Sequence, residues 1–121
     1  MASVKYHDLI VWQKSMDLVT EIYRLARLLP KEEMFALSSQ MKRAAISIPS
    51  NIAEGQERNT TKEFVQLLYT AKSSKGELET LLLICVKLRY FKQFQTEFAQ
   101  SLLNEIGKTL NSLIKVLTTS H

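Results

Sequence analysis

The sequence predicts an all-α protein, an antiparallel up-down-up-down four-helix bundle that forms one domain over residues 1–121. The length of 121 residues suits a single modest core. Only 3 glycines and 2 prolines are present, whereas an all-β fold needs a turn signal about every 8–12 residues. Apolar residues recur every three or four positions in four segments with short connections, which is the pattern of a helical bundle.

The first helix is predicted over residues 8–29, where the apolar stripe is typical of an amphipathic helix. The stripe comprises Leu9, Trp12, Met16, Val19, Tyr23 and Ala26, widened by Ile22 and Leu29. The solvated face comprises Lys14, Asp17, Glu21, Arg24 and Arg27. Pro30 disfavours helical geometry at the residue before it, so the helix should end there.

The second helix is predicted over residues 31–54, with Glu32 and Glu33 in its first turn, where carboxylates complement the helix dipole. Its apolar stripe comprises Leu37, Met41, Ala44, Ile48 and Ile52. Pro49 lies inside the segment and removes a backbone hydrogen bond, at about 3 kcal/mol. We therefore expect a kink or a break at Pro49, and Gly55 just past the helix end.

The third and fourth helices are predicted over residues 61–88 and 94–118. Thr60 and Glu63 have the spacing of a capping box, and Gly76 suggests a close approach of another helix. The stripe of the third helix comprises Phe64, Leu67, Leu68, Ala71, Ser74, Leu78, Leu81, Cys85 and Leu88. The stripe of the fourth comprises Phe94, Phe98, Leu102, Ile106, Leu110, Leu113 and Leu117.

The residue inventory argues against catalysis. The two histidines, His7 and His121, are near the termini, and the chain has no nucleophile elbow, glycine-rich phosphate loop or zinc-protease motif. No Glu-x-x-His pair supports a di-iron site. The single cysteine, Cys85, excludes an intrachain disulfide and fits a small core residue. We expect a non-enzymatic protein without catalytic residues, metal or cofactor.

The charge and hydropathy patterns limit the classes of partner that the protein is expected to have. The net charge of +4 permits nucleic-acid binding without requiring it. The longest apolar run, Leu81–Val86, is far shorter than the roughly 20 residues that span a bilayer. No secretory signal pattern is apparent. We expect a soluble, cytoplasmic protein with no membrane association.

A line of polar residues along the second helix needs explanation. This polar seam consists of Gln40, Arg43, Ser47, Asn51 and Glu54. A similar line on the third helix consists of Glu63, Gln66, Thr70, Ser73 and Glu77. The seam is a solvated face, a nucleic-acid or ligand surface, or a buried contact within the bundle or between subunits. In the buried case we expect Arg43 to pair with Glu54 or Glu77. We also expect Ser47, Ser50 or Asn51 to bond the carbonyl of Ala45, which Pro49 leaves free.

Basic residues supply a second candidate site. Lys87, Arg89 and Lys92 surround Tyr90 and Phe91, and basic residues interleaved with aromatic rings hold phosphates and stack bases. The alternative is a solvated turn whose aromatic rings cap the core. Lys72 and Lys75 are expected to share a helix face, and in a ring of several copies the charges would add. The nucleic-acid-binding candidates are Arg43, Arg58, Lys72, Lys75, Lys87, Arg89 and Lys92.

The segment Phe35–Gly55 reads FALSSQMKRAAISIPSNIAEG. It resembles the bacterial four-helix-bundle family of proteins encoded in 23S rRNA intervening sequences, also called S23-like. The similarity covers residues 6–117. It extends upstream to Leu9, Val11, Trp12, Gln13, Pro30 and Glu33, and downstream to Phe64, Leu67, Ala71, Ser74, Glu77, Leu78 and Glu79.

The resemblance implies a homopentamer. The family is similar to the accessory protein of diversity-generating retroelements, a basic pentameric barrel that binds nucleic acid and a reverse transcriptase. Stand-alone members have no established activity. This sequence has Ala36, Ser73 and Arg89 where glycine is frequent, and Lys42 where arginine is common.

Two functions follow as hypotheses. The first is a homo-oligomeric bundle that binds structured RNA or DNA through summed lysines and arginines. The second is a scaffold that presents its helices to a protein partner and has no specific nucleic-acid role.

Overall fold

The computed structural model describes Tyr6 and residues 9–119, and within them the chain forms four α-helices joined by short connections. The helices are α1 (Ile10–Ala26), α2 (Leu37–Gln56), α3 (Thr61–Lys87) and α4 (Glu97–Thr119). Short 3-10 turns at Lys31–Glu33 and Gln93–Thr96 precede α2 and α4. No strand occurs in the described residues, which confirms the predicted all-α class.

The four helices close a ring around one core. α1 packs against α2 and α4, and α3 packs against the same two helices. α2 and α3 run antiparallel, because Met41 lies against Cys85 near one end of the pair and Gly55 against Phe64 near the other. The full up-down-up-down order stays a prediction.

The buried face of α1 is displaced from the predicted stripe. Val11, Leu18 and Leu25 are at most 1% exposed, whereas Met16, a predicted stripe residue, is 42% exposed. Trp12, Val19 and Tyr23 are half-buried. Large side chains such as Trp12 and Tyr23 lie at the edge of the buried face of α1. They were counted in its centre, so the predicted stripe is shifted along the helix by about one residue.

Glu21 also differs from the prediction, because it is buried rather than solvated. Arg24 donates to both of its carboxylate oxygens, from Nε at 2.8 Å and from Nη2 at 2.7 Å. This two-point pairing of a guanidinium with a carboxylate compensates for the burial of the charge.

The start of the predicted second helix, at about residue 31, is wrong, whereas its end at about residue 54 lies within two residues of the observed end, Gln56. Glu32 and Glu33 belong to the separate 3-10 turn, and α2 begins only at Leu37. At the other end Gly55 lies inside α2, not beyond it, and is buried. A Cβ at Gly55 would lie 2.7 Å from Cδ1 of Phe64, so glycine is needed there for helix packing rather than for helix termination. α2 continues through Pro49 without a break; the kink stays a prediction.

Two expectations concern α3, the cap at its beginning and the close approach of another helix at Gly76. The backbone N–H of Glu63 donates to Oγ1 of Thr60 at 3.1 Å, which confirms one of the two bonds of the predicted capping box. The close approach expected at Gly76 is wrong, because a Cβ there would meet no atom within 4 Å. Besides Gly55, a tight glycine contact between helices lies at Gly107 of α4, where the side chain of Lys75 from α3 crosses the backbone.

The fourth helix begins at Glu97 rather than residue 94. Leu102, Ile106 and Leu110 are buried as predicted, but Phe94 and Phe98 are 67% and 58% exposed. Residues 93–96 form a 3-10 turn, whose three-residue period breaks the register of the predicted stripe. Leu88, predicted in the stripe of the third helix, is also exposed, since α3 ends at Lys87.

None of the helices that the structure describes is both long enough and apolar enough to cross a membrane.

Candidate nucleic-acid interface

The connection between α3 and α4, here the α3–α4 turn (residues 87–92), has a defined backbone geometry. The N–H of Arg89 donates to the carbonyl of Val86 at 3.0 Å, and the N–H of Tyr90 to the carbonyl of Cys85 at 2.9 Å. These two bonds form a Schellman motif, which normally has glycine in its left-handed position. Here Arg89 occupies that position with φ of 65°. A residue with a Cβ in this conformation costs about 1–2 kcal/mol.

This turn presents three cations to solvent. Lys87, Arg89 and Lys92 are all exposed. None of them forms an ion pair with another described residue. The turn itself contains no carboxylate. Their positive charges are therefore available to an anionic partner.

The two aromatic residues of the turn are not available for base stacking. Phe91 is 2% exposed. Tyr90 is half-buried, and its hydroxyl donates to Oε2 of Glu33 at 2.7 Å. That hydrogen bond, together with burial, raises the pKa of Tyr90. Both rings anchor the turn, so the core-capping alternative applies to them and the stacking interpretation is wrong.

The other four basic candidates do not join this cluster. Arg58 pairs with Glu54. Lys75 is partly buried and its Nζ lies 3.1 Å from both carboxylate oxygens of Glu79. Two ion pairs therefore reduce the charge available at these sites.

Arg43 and Lys72 are exposed, on α2 and on the middle of α3. Lys72 does not share the environment of Lys75, whose side chain lies against Gly107 of α4. The seven candidates are thus distributed over several parts of the surface, and the α3–α4 turn is the part that brings three of them together.

Sequence reasoning passed over Lys62 and Lys115. Both are exposed, near the end of the bundle opposite the α3–α4 turn, and neither is ion-paired in the described part of the chain. The signal in the sequence was the lack of an acidic residue three or four positions away from either lysine.

The polar seam divides into a structural centre and a solvated remainder. The hydroxyls of Ser47 and Ser74 lie 2.7 Å apart between α2 and α3. Asn51 donates its amide to the carbonyl of Ser47 at 2.8 Å and to its hydroxyl at 2.9 Å. Two seam residues, Ser47 and Asn51, therefore take part in helix packing.

The remaining seam residues, Gln40, Arg43 and Glu54, are exposed. Within one chain the expected pairings do not form, because Glu54 pairs with Arg58 and no described carboxylate pairs with Arg43. A pairing between subunits stays a prediction. The bond expected to the carbonyl of Ala45 is replaced by the one from Asn51 to Ser47. On the third helix, Ser74 makes the contact, while the predicted line member Ser73 is exposed.

Cys85 is a core residue, as the sequence suggested. Its side chain is fully buried, with Sγ 3.7 Å from Sδ of Met41. Burial, aided by the negative charge of Glu33, raises the pKa of the thiol to about 11. No group of three or more metal-binding side chains occurs among the described residues.

The main grooves lined by the described residues are open to solvent. A groove of about 550 Å³ between α3 and α4 includes Leu83, Val86 and Lys108. Another of about 350 Å³ between α1 and α2 has a mostly apolar lining that includes Trp12, Met16 and Ile46.

Comparison with known proteins places this geometry in a family. None of the curated proteins matches the chain. A crystal structure of a protein of unknown function from the S23 ribosomal protein family of Bacteroides thetaiotaomicron VPI-5482 is similar, with a TM-score of 0.81 and 29% identity. The match covers 88% of this chain and 99% of that one. The model of the 23S rRNA-intervening sequence protein family matches residues 7–112. The chain therefore belongs to the 23S rRNA-intervening sequence protein family.

Proposed function

We propose that this protein is a non-enzymatic, homo-oligomeric helical bundle that binds structured nucleic acid through the α3–α4 turn. The observation that carries the proposal is the exposure of Lys87, Arg89 and Lys92 on one turn with no ion pair among the described residues. Cations in this arrangement contact phosphates and contribute affinity without sequence preference. The guanidinium of Arg89 can hold a phosphate with two hydrogen bonds.

Oligomerisation would strengthen this interaction, because each copy adds a net charge of +4. We propose a homopentamer, following the resemblance in sequence. The apolar groove between α1 and α2 supports a contact between copies, since exposed apolar surface of this kind favours association. The family name, which refers to 23S rRNA, makes structured RNA the first ligand to test.

The test is charge reversal at the turn. A Lys87→Glu/Arg89→Glu variant removes two phosphate contacts, so its affinity for a labelled RNA hairpin should fall more than about tenfold. The matched control is Lys62→Glu/Lys115→Glu, which changes net charge equally at the opposite end of the bundle. We expect the control to lose less than about threefold in affinity.

Equal losses for the two variants would mean that net charge alone governs binding and that the turn is not the interface. No loss from either would favour the alternative, a scaffold for a protein partner.

A further inference from the structure

Three phenylalanine rings are exposed at the end of the bundle that carries the α3–α4 turn. Phe35 is 91% exposed, Phe94 67% and Phe98 58%. Phe35 follows the 3-10 turn before α2, Phe94 lies in the 3-10 turn before α4, and Phe98 is in the first turn of α4. Exposed apolar side chains grouped at one end of a protein mark an interaction site more often than scattered ones do.

One hydrogen bond joins the connection that carries Phe35 to the connection that carries Phe94. The hydroxyl of Tyr90 donates to Oε2 of Glu33 at 2.7 Å. Glu33 is two residues from Phe35, and Tyr90 is four residues from Phe94. Because consecutive Cα atoms are about 3.8 Å apart, the Cα of Phe35 lies at most about 8 Å from that of Glu33, and the Cα of Phe94 at most about 15 Å from that of Tyr90. We call Phe35, Phe94 and Phe98 the aromatic end.

The charges beside the aromatic end favour an anionic partner. Lys87, Arg89 and Lys92 are exposed in the turn next to Phe94. The same end also carries exposed Arg27 and Lys31, and its carboxylates are Glu32, Glu33 and Glu97, so cations outnumber carboxylates there. Glu33 accepts the Tyr90 hydrogen bond, and the three cations are consecutive charges with no acid between them.

Rings flanked by cations match the chemistry of single-stranded nucleic acid. Unpaired bases offer flat faces that stack on aromatic side chains, and the adjoining phosphates pair with lysine and arginine. Bases within a duplex are already stacked and cannot use such rings. We propose that the aromatic end stacks unpaired bases of a loop or single strand, while Lys87, Arg89 and Lys92 hold the adjoining phosphates. This inference rests on the proposed function and specifies the ligand's unpaired regions as the part recognised.

The experiment compares a labelled 12-nucleotide oligouridylate with an RNA duplex of equal length by fluorescence anisotropy. Phe94→Ala and Phe35→Ala should each weaken oligouridylate binding about fivefold to hundredfold, the range for losing one stacked base. Duplex affinity should stay unchanged. Phe94→Leu keeps an apolar side chain but loses the flat ring, and we expect it to weaken binding as Phe94→Ala does.

The matched control is Tyr69→Ala, which removes another exposed ring, 51% exposed, from a groove at the opposite end of the bundle. It should leave both affinities unchanged. Since all these side chains are exposed, thermal unfolding should be little altered, and this is checked for each variant.

The outcomes separate this inference from the function on which it rests. If the phenylalanine variants bind oligouridylate like the wild type while Lys87→Glu/Arg89→Glu loses binding, the charged interface stands and base stacking is wrong. If neither set changes binding, both proposals fail. If Phe94→Ala lowers the mass of the free oligomer, another copy of the chain covers the ring and the inference is overturned.

Discussion

Cys85 and Arg89 are four residues apart at the end of α3, yet their surroundings are opposite. The thiol of Cys85 is fully buried beside Met41, whereas Arg89 is exposed in a left-handed conformation. Burial favours the neutral thiol, and exposure leaves the guanidinium free for a ligand. Each environment has a measurable consequence.

The buried thiol should react slowly. Because its pKa is raised from 9.0 to about 11, little thiolate forms near neutral pH in the folded protein. We expect reaction with a disulfide reagent to be slow at pH 7.5 and to accelerate up to about pH 11, with denatured protein as the fast control. Equal rates for folded and denatured protein near neutral pH would contradict the burial of Cys85.

The same shift affects stability at high pH. The unfolded thiol releases its proton near pH 9 and the folded thiol near pH 11. The unfolded state is therefore favoured as the pH rises through this window, and the free energy of unfolding should fall. A Cys85→Ala variant removes this contribution and serves as the comparison.

Arg89 allows its charge to be separated from its backbone conformation. Arg89→Gly relieves the left-handed strain, so the free energy of unfolding should rise by up to about 1 kcal/mol. Arg89→Ala removes the same charge but keeps a Cβ, and its stability should match the wild type. Chemical denaturation measures both. If the two variants are equally stable, the strain assigned to Arg89 is absent.

At the scale of the helices, the sequence pattern predicts where the helices lie, whereas the role of Gly55 and the buried face of α1 depend on packing between helices. The four helices follow from apolar periodicity, and Pro30 correctly marks a connection. The role of Gly55 differs from the sequence expectation because a glycine after a helix and a glycine under a neighbouring ring look alike in sequence. Only the position of Phe64 distinguishes the two roles. The buried face of α1 differs from the predicted one because the rings of Trp12 and Tyr23 are each buried on one side and exposed on the other, at the edge of that face.

The two glycines give a matched pair of tests. Gly55→Ala places a Cβ 2.7 Å from the Phe64 ring, and the overpacking should destabilise the protein by about 1–3 kcal/mol. Gly76→Ala adds a Cβ where no atom lies within 4 Å, and it should stabilise α3 by up to about 1 kcal/mol. Thermal unfolding reports both. Destabilisation of equal size in the two variants would contradict the packing described for α2 and α3.

The candidate site was predictable only in part, because some of its features depend on neighbouring residues and others on contacts distant in sequence. Lys87, Arg89 and Lys92 cluster because they are close in sequence, and this needs no tertiary structure. The burial of Tyr90 and Phe91 depends on Glu33 and the core, which are distant in sequence. The exposure of Phe94 depends on a short 3-10 turn that the apolar pattern does not mark.

For the molecule as a whole, assembly is the first quantity to measure. If the protein is the proposed homopentamer, light scattering should give a mass close to five times 13.9 kDa. A Met16→Glu/Ile46→Glu variant introduces charge into the apolar α1–α2 groove and should lower the mass, because burying the carboxylates at a contact is unfavourable. A wild-type mass equal to one chain would contradict the homopentamer.

The salt dependence of RNA affinity tests the central claim most directly. A labelled RNA hairpin is titrated with the wild-type protein by fluorescence anisotropy over a series of salt concentrations. Three phosphate contacts at the α3–α4 turn predict a slope of log affinity against log salt of about −2 to −3 for each protomer in contact. The account also predicts sub-micromolar binding near physiological salt. Binding that vanishes below physiological salt would reflect only general basicity and would contradict a nucleic-acid function.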